Sequence, residues 1–296
     1  MDKGIKKTLQ AIAKAIIPTY GYSKTLVQSG LYKLHEKGHK GQKIKVAYFG
    51  NGVEKSPFLS ETEGRINRMS WVENEEGDIG QFDYHENYVA NLFLTYIPKI
   101  GTSPFLDTYK VMKVKHSGGG WTPDTFVQAL EYLITLPIER RPHIIGMSFG
   151  VSADSGIDID EYSFQQMKIK LQQLQNMGIL IFGSSGNRSL GMPDFPIRHF
   201  NSVACKTFNE TKHINSNKGK WIFYGHQIQN YNKSGQATLV DLTSYACPQL
   251  IGAIASYLSM KVSKGFDVWT VMSSLETNLK LDGYLVETSD GLSVRF

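Results

Sequence analysis

From residue 43 onward, short apolar runs alternate with longer stretches whose apolar positions recur at helical spacing. KIKVAYFG (43–50), INRMSWVE (66–73), DTYKVMKV (107–114), PHIIGMSFG (142–150), ILIFGSSGN (179–187) and NSVACKTF (201–208) read as strands. Between them, HENYVANLFLTYI (85–97) reads as a helix with Val89, Leu92 and Tyr96 on one face. Thr122 and Pro123 suit the cap and first position of a helix that runs to Leu136. EYSFQQMKIKLQQLQNMG (161–178) is a third helix, ended by Gly178. Strands separated by helices of this length predict an α/β fold in three layers, a mostly parallel sheet with helices on both faces.

Upstream, Ile5, Leu9, Ile12, Ile16 and Ile17 share one helical face until Pro18 closes the segment. A second short helix is expected over 26–36, then a Lys/Gly-rich stretch, 37–43. The simplest division is an extension over 1–40 and one domain over 41–296. Composition changes little: the 41% hydrophobic and 20% charged shares are those of an ordinary globular chain. The net charge of +5 is spread out, and no zinc-finger spacing or RNA-binding aromatic motif accompanies it, so a nucleic-acid partner is not expected. No apolar run reaches the ~18 residues of a membrane span, and Lys14 breaks the only stretch placed like a secretion signal. Two cysteines, Cys205 and Cys247, without a CxxC pair fit a reducing compartment, so the expected location is the cytoplasm.

In an open parallel sheet, chemistry gathers at the carboxyl ends of the strands. Here those ends carry FGNG (49–52), SFG (148–150) and GSSGN (183–187). Four segments, in order, resemble those of the subtilisin-like serine peptidase family. KIKVAYFGNGVEKSPFL (43–59) resembles the strand and turn that bear the triad aspartate, and HENYVAN (85–91) the motif that opens a helix with the catalytic histidine. IIGMSFG followed by ILIFGSSGN resembles the substrate-binding strand and the oxyanion asparagine. LTSYACPQLIGAIASYL (242–258) resembles the Thr-Ser motif at the head of the helix that carries the nucleophile. SGLYKLHEKGHKGQKIKVAYFGNGV (29–53) is similar to the lead-in segment of the intracellular subtilisins, and IIPTY (16–20) resembles the motif with which their extension blocks the cleft.

The resemblance implies Ser244 as nucleophile, His85 as general base and Asn187 as oxyanion donor. It implies Ser148, Phe149 and Gly150 as one substrate-pairing edge, Gly118, Gly119 and Gly120 as the facing one, and a peptide or protein as substrate. It also exposes departures. Gly50 stands where the aspartate belongs; Glu54, Asp83 and Glu86 are the nearby acids that could substitute. Glu86, Leu242 and Tyr245 replace glycine, glycine and methionine, adding bulk beside the cleft. Phe58 replaces a calcium ligand, so neither a metal nor a cofactor is expected.

Three readings stay open: a serine endopeptidase, weakened or with a repositioned acid; an inactive pseudopeptidase that binds peptide in the same cleft; and an α/β hydrolase. The third rests on Gly146-Met147-Ser148-Phe149-Gly150, which fits GxSxG, with His213 or His226 closing a triad from a Lys/Asn-rich loop.

Overall fold

The computed structural model describes residues 21–53, 65–71, 85–93, 105–110 and 123–296 apart from 233 and 235. The first strand explains the layering. In β1 (Lys45–Gly50), successive side chains point to opposite faces of the sheet. Val46 and Tyr48 join one core cluster and Ala47 and Phe49 the other. A strand buried on both faces needs helices on both sides, and the chain supplies them. One face is covered by α4 (Pro123–Thr135), through Phe126, Leu130 and Leu133, and by α5 (Tyr162–Asn176), through Met167, Leu171 and Leu174. The other is covered by the long helix α6 (Thr243–Ser263), buried along most of its length, and by α3 (His85–Phe93), which packs against it.

Among the described residues the sheet has nine strands, ordered β10-β11-β7-β6-β5-β4-β1-β3-β2. Besides β1 these are β2 (Ile66–Ser70), β3 (Phe105–Lys110), β4 (Ile144–Met147), β5 (Leu180–Ser184), β6 (Asn201–Lys206), β7 (Trp221–Tyr224), β10 (Leu285–Thr288) and β11 (Gly291–Val294). Pairing is parallel except between β10 and β11. A two-stranded antiparallel ribbon, β8 (Ile228–Tyr231) with β9 (Ala237–Val240), precedes α6. Strand order reverses at β1: β3 and β2 lie on one side, β4 to β7 on the other. The register sets Phe49 opposite Met147, and Met147 opposite Gly183. The segments after β1, β4 and β5 therefore emerge side by side at one carboxyl edge, where such folds bind ligands.

The strands are shorter than the apolar runs suggest, because the glycine-rich tails 148–150 and 185–187 leave the ladder to form that edge. The second helix expected over 26–36 is two helices, α1 (Gly21–Gln28) and α2 (Tyr32–Glu36), separated by Gly30 with φ +72°. Leu26, Leu31 and Leu34 enter the same core cluster as α6. The His35 ring meets Ser256 Oγ at 3.1 Å, and Phe296 N–H donates to Ser29 O at 2.6 Å. The expected blocking motif at 16–20 lies outside the described residues. Two short helices, α7 (Val268–Ser273) and α8 (Leu275–Leu281), complete the chain before the β10–β11 hairpin.

Candidate active site

Three segments of this edge converge on the head of α6. Leu242 precedes the helix with φ +88°, a strained conformation for a branched side chain. It is held by donating its N–H to Gly225 O at 2.8 Å. The chain then turns into the helix at Thr243 and Ser244, so Ser244 sits in the first turn, partly exposed. Free backbone N–H groups and the positive end of the helix dipole favour negative charge there.

Pro248 lies inside the helix, one turn beyond Ser244. It has no N–H to give the Ser244 carbonyl four residues back. Ser148 fills that gap: its hydroxyl donates to Ser244 O at 3.1 Å and meets Tyr48 OH at 2.6 Å. Ser148 is thus engaged on both sides, and no helix follows it directly. Val151 pairs with Phe195, and α5 begins only at Tyr162. The nucleophile-elbow reading requires a strand, serine and helix in immediate succession, and this geometry lacks it.

Asn187 follows β5. Its Oδ1 accepts from Thr243 N–H at 3.1 Å and from Thr243 Oγ1 at 2.7 Å. Because both partners are donors, they fix which end of the amide is oxygen and turn the NH₂ group away from Thr243. The adjacent Gly186 has φ +102°, and a Cβ there would overlap Asp194 Oδ2 and lie 2.5 Å from Asn217 Nδ2.

His85 is the first residue of α3. Its Nδ1 lies 3.0 Å from Glu86 Oε1. The side chain of His85 is 23% exposed and that of Glu86 only 6%, so this ion-pair contact is shielded from water on the acid side. The His85 ring lies 5.5 Å from that of Tyr245, the residue after Ser244. Burial, then Cys247 and Glu86, push the Tyr48 phenol well above its usual range, and burial pushes the Cys247 thiol up to about 12.

Gly50, at the end of β1, adjoins this pair. A Cβ built on it would overlap Glu86 Cδ and Oε1 and lie 2.7 Å from Cγ. The Glu86 carboxyl therefore fills the space into which a side chain at position 50 would project. Of the other candidate acids, Glu54 and Asp83 lie outside the described residues, as do Gly118, Gly119 and Gly120. Phe149 is buried and packs edge-on to Phe126 at 5.3 Å, and Gly150 leads into the bridge at Val151.

One residue carries no motif in the sequence. Asp194 stands between Gly150 and Gly186, where a Cβ on either glycine would run into it. Asn217 Nδ2 donates to its Oδ1 at 3.1 Å. Burial holds its carboxyl above the usual range, with Arg188 opposing. Only the fold, through the Val151–Phe195 bridge, brings it to this edge.

Comparison with known proteins gives a consistent picture. No family model matches the chain. A thermostable alkaline protease of Halalkalibacterium halodurans is 23% identical over 270 residues, covering 86% of this chain and 66% of that protein. Subtilisin Savinase of Lederbergia lenta is 23% identical over 234 residues, 75% of this chain and 78% of that one. Among solved structures, the prenylagaramide maturation protease PagA superposes with a TM-score of 0.64 at 20% identity, over 84% of this chain and 87% of its own. A mutant of the protease domain of PatA gives 0.67 at 16% identity, over 85% and 92%. Among the described residues no helix is long and apolar enough to cross a membrane. In sequence the chain is similar to these subtilisin-like alkaline proteases, and its fold is that of the PagA and PatA protease domains.

Proposed function

We propose that this chain is a serine endopeptidase whose triad is Ser244, His85 and Glu86, the acid having moved from the strand end to the residue beside the histidine. The observation that carries this reading is the 3.0 Å contact between His85 Nδ1 and Glu86 Oε1. It is supported by the fit of the Glu86 carboxyl into the space beside Gly50.

In this reading Ser244 Oγ attacks the scissile carbonyl carbon as its proton passes to His85 Nε2. The imidazolium so formed is stabilised by Glu86, which accepts from Nδ1–H and holds the tautomer that leaves Nε2 free as a base. The carbonyl oxygen becomes an oxyanion and takes a hydrogen bond from Asn187 Nδ2. His85 then protonates the departing amine, and a water repeats the sequence on the acyl-enzyme. Glu86 lies in the first turn of α3, where a carboxylate is favoured by the helix dipole. The substrate is an extended peptide or protein segment laid along Ser148–Gly150. The setting is the cytoplasm, on the ground that Cys205 and Cys247 are both free and buried.

Replacing Asn187 by Ala is expected to lower kcat by about 10²–10³-fold with little change in KM, since in this reading its NH₂ group meets the substrate only as the oxyanion develops. Steady-state kinetics on a chromogenic peptide check this. The reading itself is tested with a fluorophosphonate probe, followed by peptide mass spectrometry. An adduct on Ser244 that disappears in His85→Ala supports a peptidase. An unlabelled Ser244 in folded protein leaves the pseudopeptidase reading in its place.

A further inference from the structure

Two histidines and an aspartate that the proposed triad does not use converge from three segments. His213 lies in the loop after β6, His226 just after β7, and Asp241 between β9 and α6. Taking one nitrogen or carboxylate oxygen from each, the three atoms lie within 4.8 Å of one another. The two rings are 4.8 Å apart between centroids.

Each residue is anchored through its backbone or its neighbours. His213 N–H donates to Cys205 O at 2.8 Å, and its Nδ1 accepts the Asn215 N–H at 3.2 Å. Asp241 Oδ1 accepts from Gln227 N–H and meets His226 Nδ1, both at 2.7 Å. The Leu242 N–H bond to Gly225 O, at 2.8 Å, clamps the residues next to Asp241 and His226 together. Lys212, the residue before His213, is turned aside: its Nζ donates to Ser216 O at 2.7 Å and His213 O at 3.3 Å.

We propose that His213, His226 and Asp241 form a binding site for a divalent transition-metal ion, zinc above all. Two imidazoles and a carboxylate are a donor set zinc accepts, and nitrogen donors disfavour calcium or magnesium, which take oxygen. Tetrahedral bonds near 2.0–2.1 Å place donor atoms about 3.3 Å apart, so modest side-chain rotation closes the site. Both rings are partly exposed and Asp241 is exposed, which leaves a path for the ion and room for a water as fourth ligand.

The placement gives the ion a structural task. Asp241 leads directly into Leu242 and Thr243, whose N–H and hydroxyl hold Asn187 Oδ1. The His213 loop holds the chain just after Asn187, because Ser189 Oγ donates to Ile214 O at 2.7 Å and Ser189 N–H to Asn215 O at 3.1 Å. One ion would join the two segments between which Asn187 is positioned.

The test is calorimetric titration of zinc chloride into the full chain stripped with EDTA, alongside thermal unfolding. One zinc per chain and a raised unfolding temperature, reversed by EDTA, are expected. His213→Gln and His226→Gln, which keep a polar side chain, should each weaken zinc by at least about tenfold. His85→Ala should retain the ion, which separates this site from the His85–Glu86 pair. Cobalt(II) in place of zinc should give the absorption bands of a tetrahedral centre. Zinc binding unaltered in both glutamine variants, no zinc binding by the wild-type chain, or loss of the ion in His85→Ala would overturn the proposal.

Discussion

Replacing Glu86 by Gln should lower kcat/KM about 10⁴-fold while leaving the protein folded, as removal of the triad carboxylate does in subtilisin itself. The amide is nearly isosteric but lacks the charge. It cannot offset the imidazolium that forms as Ser244 attacks, and its NH₂ end favours the tautomer with its proton on the wrong nitrogen. The fall corresponds to about 5 kcal/mol of lost transition-state stabilisation. Because the contact lies beside the histidine rather than in the substrate cleft, KM should hardly change. Steady-state kinetics of the variant decide the matter. A loss below about tenfold would mean that another acid orients His85, with Glu54 and Asp83 the first to examine.

Introducing at position 50 the aspartate that the resemblance to subtilisins calls for should do harm rather than good. Gly50→Asp places a Cβ on top of the Glu86 carboxyl, in a strand buried on both faces. Overpacking of this kind costs about 1–3 kcal/mol. The second carboxylate adds a like charge at short range, which only protonation of one of the two relieves. The single variant should therefore unfold at lower temperature and show little activity. Adding Glu86→Gly removes both the overlap and the extra charge, and kcat/KM should return to within about tenfold of wild type. Thermal unfolding and kinetics of the single and double variants measure both effects. A double variant no better than Gly50→Asp alone would show that the two positions do not share one space.

Much of the scaffold is legible in the sequence because it is periodic. The alternating run at 43–50 and the helical spacing at 85–97, 122–136 and 161–178 suffice for a parallel sheet with helices on both faces. The second half is harder to read. The strands Trp221–Tyr224, Ile228–Tyr231 and Ala237–Val240 have four residues each, too few to show a period. They sit among lysines, asparagines and glycines, so the region carrying His213 and His226 reads as a loop.

The site divides in the same way. Ser244, His85 and Asn187 stand in recognisable local motifs, each tied to a helix head or a strand end. Glu86 does not. Adjacent residues within a helix do not face one another, so the sequence offers Glu86 only as one of three nearby acids, beside Glu54 and Asp83. In the structure the Glu86 carboxylate nonetheless reaches Nδ1 of His85, at 3.0 Å. Gly50 reads in the sequence as a missing acid. In three dimensions it borders the space that the Glu86 carboxyl fills.

The relocation of the acid is tested most directly by the rate at which a fluorophosphonate modifies Ser244 in four proteins: wild type, Glu86→Gln, Gly50→Asp, and Gly50→Asp with Glu86→Gly. The account predicts rapid modification of the wild type and the double variant, and rates slower by several orders of magnitude in both single variants. Equal rates in wild type and Glu86→Gln would contradict it.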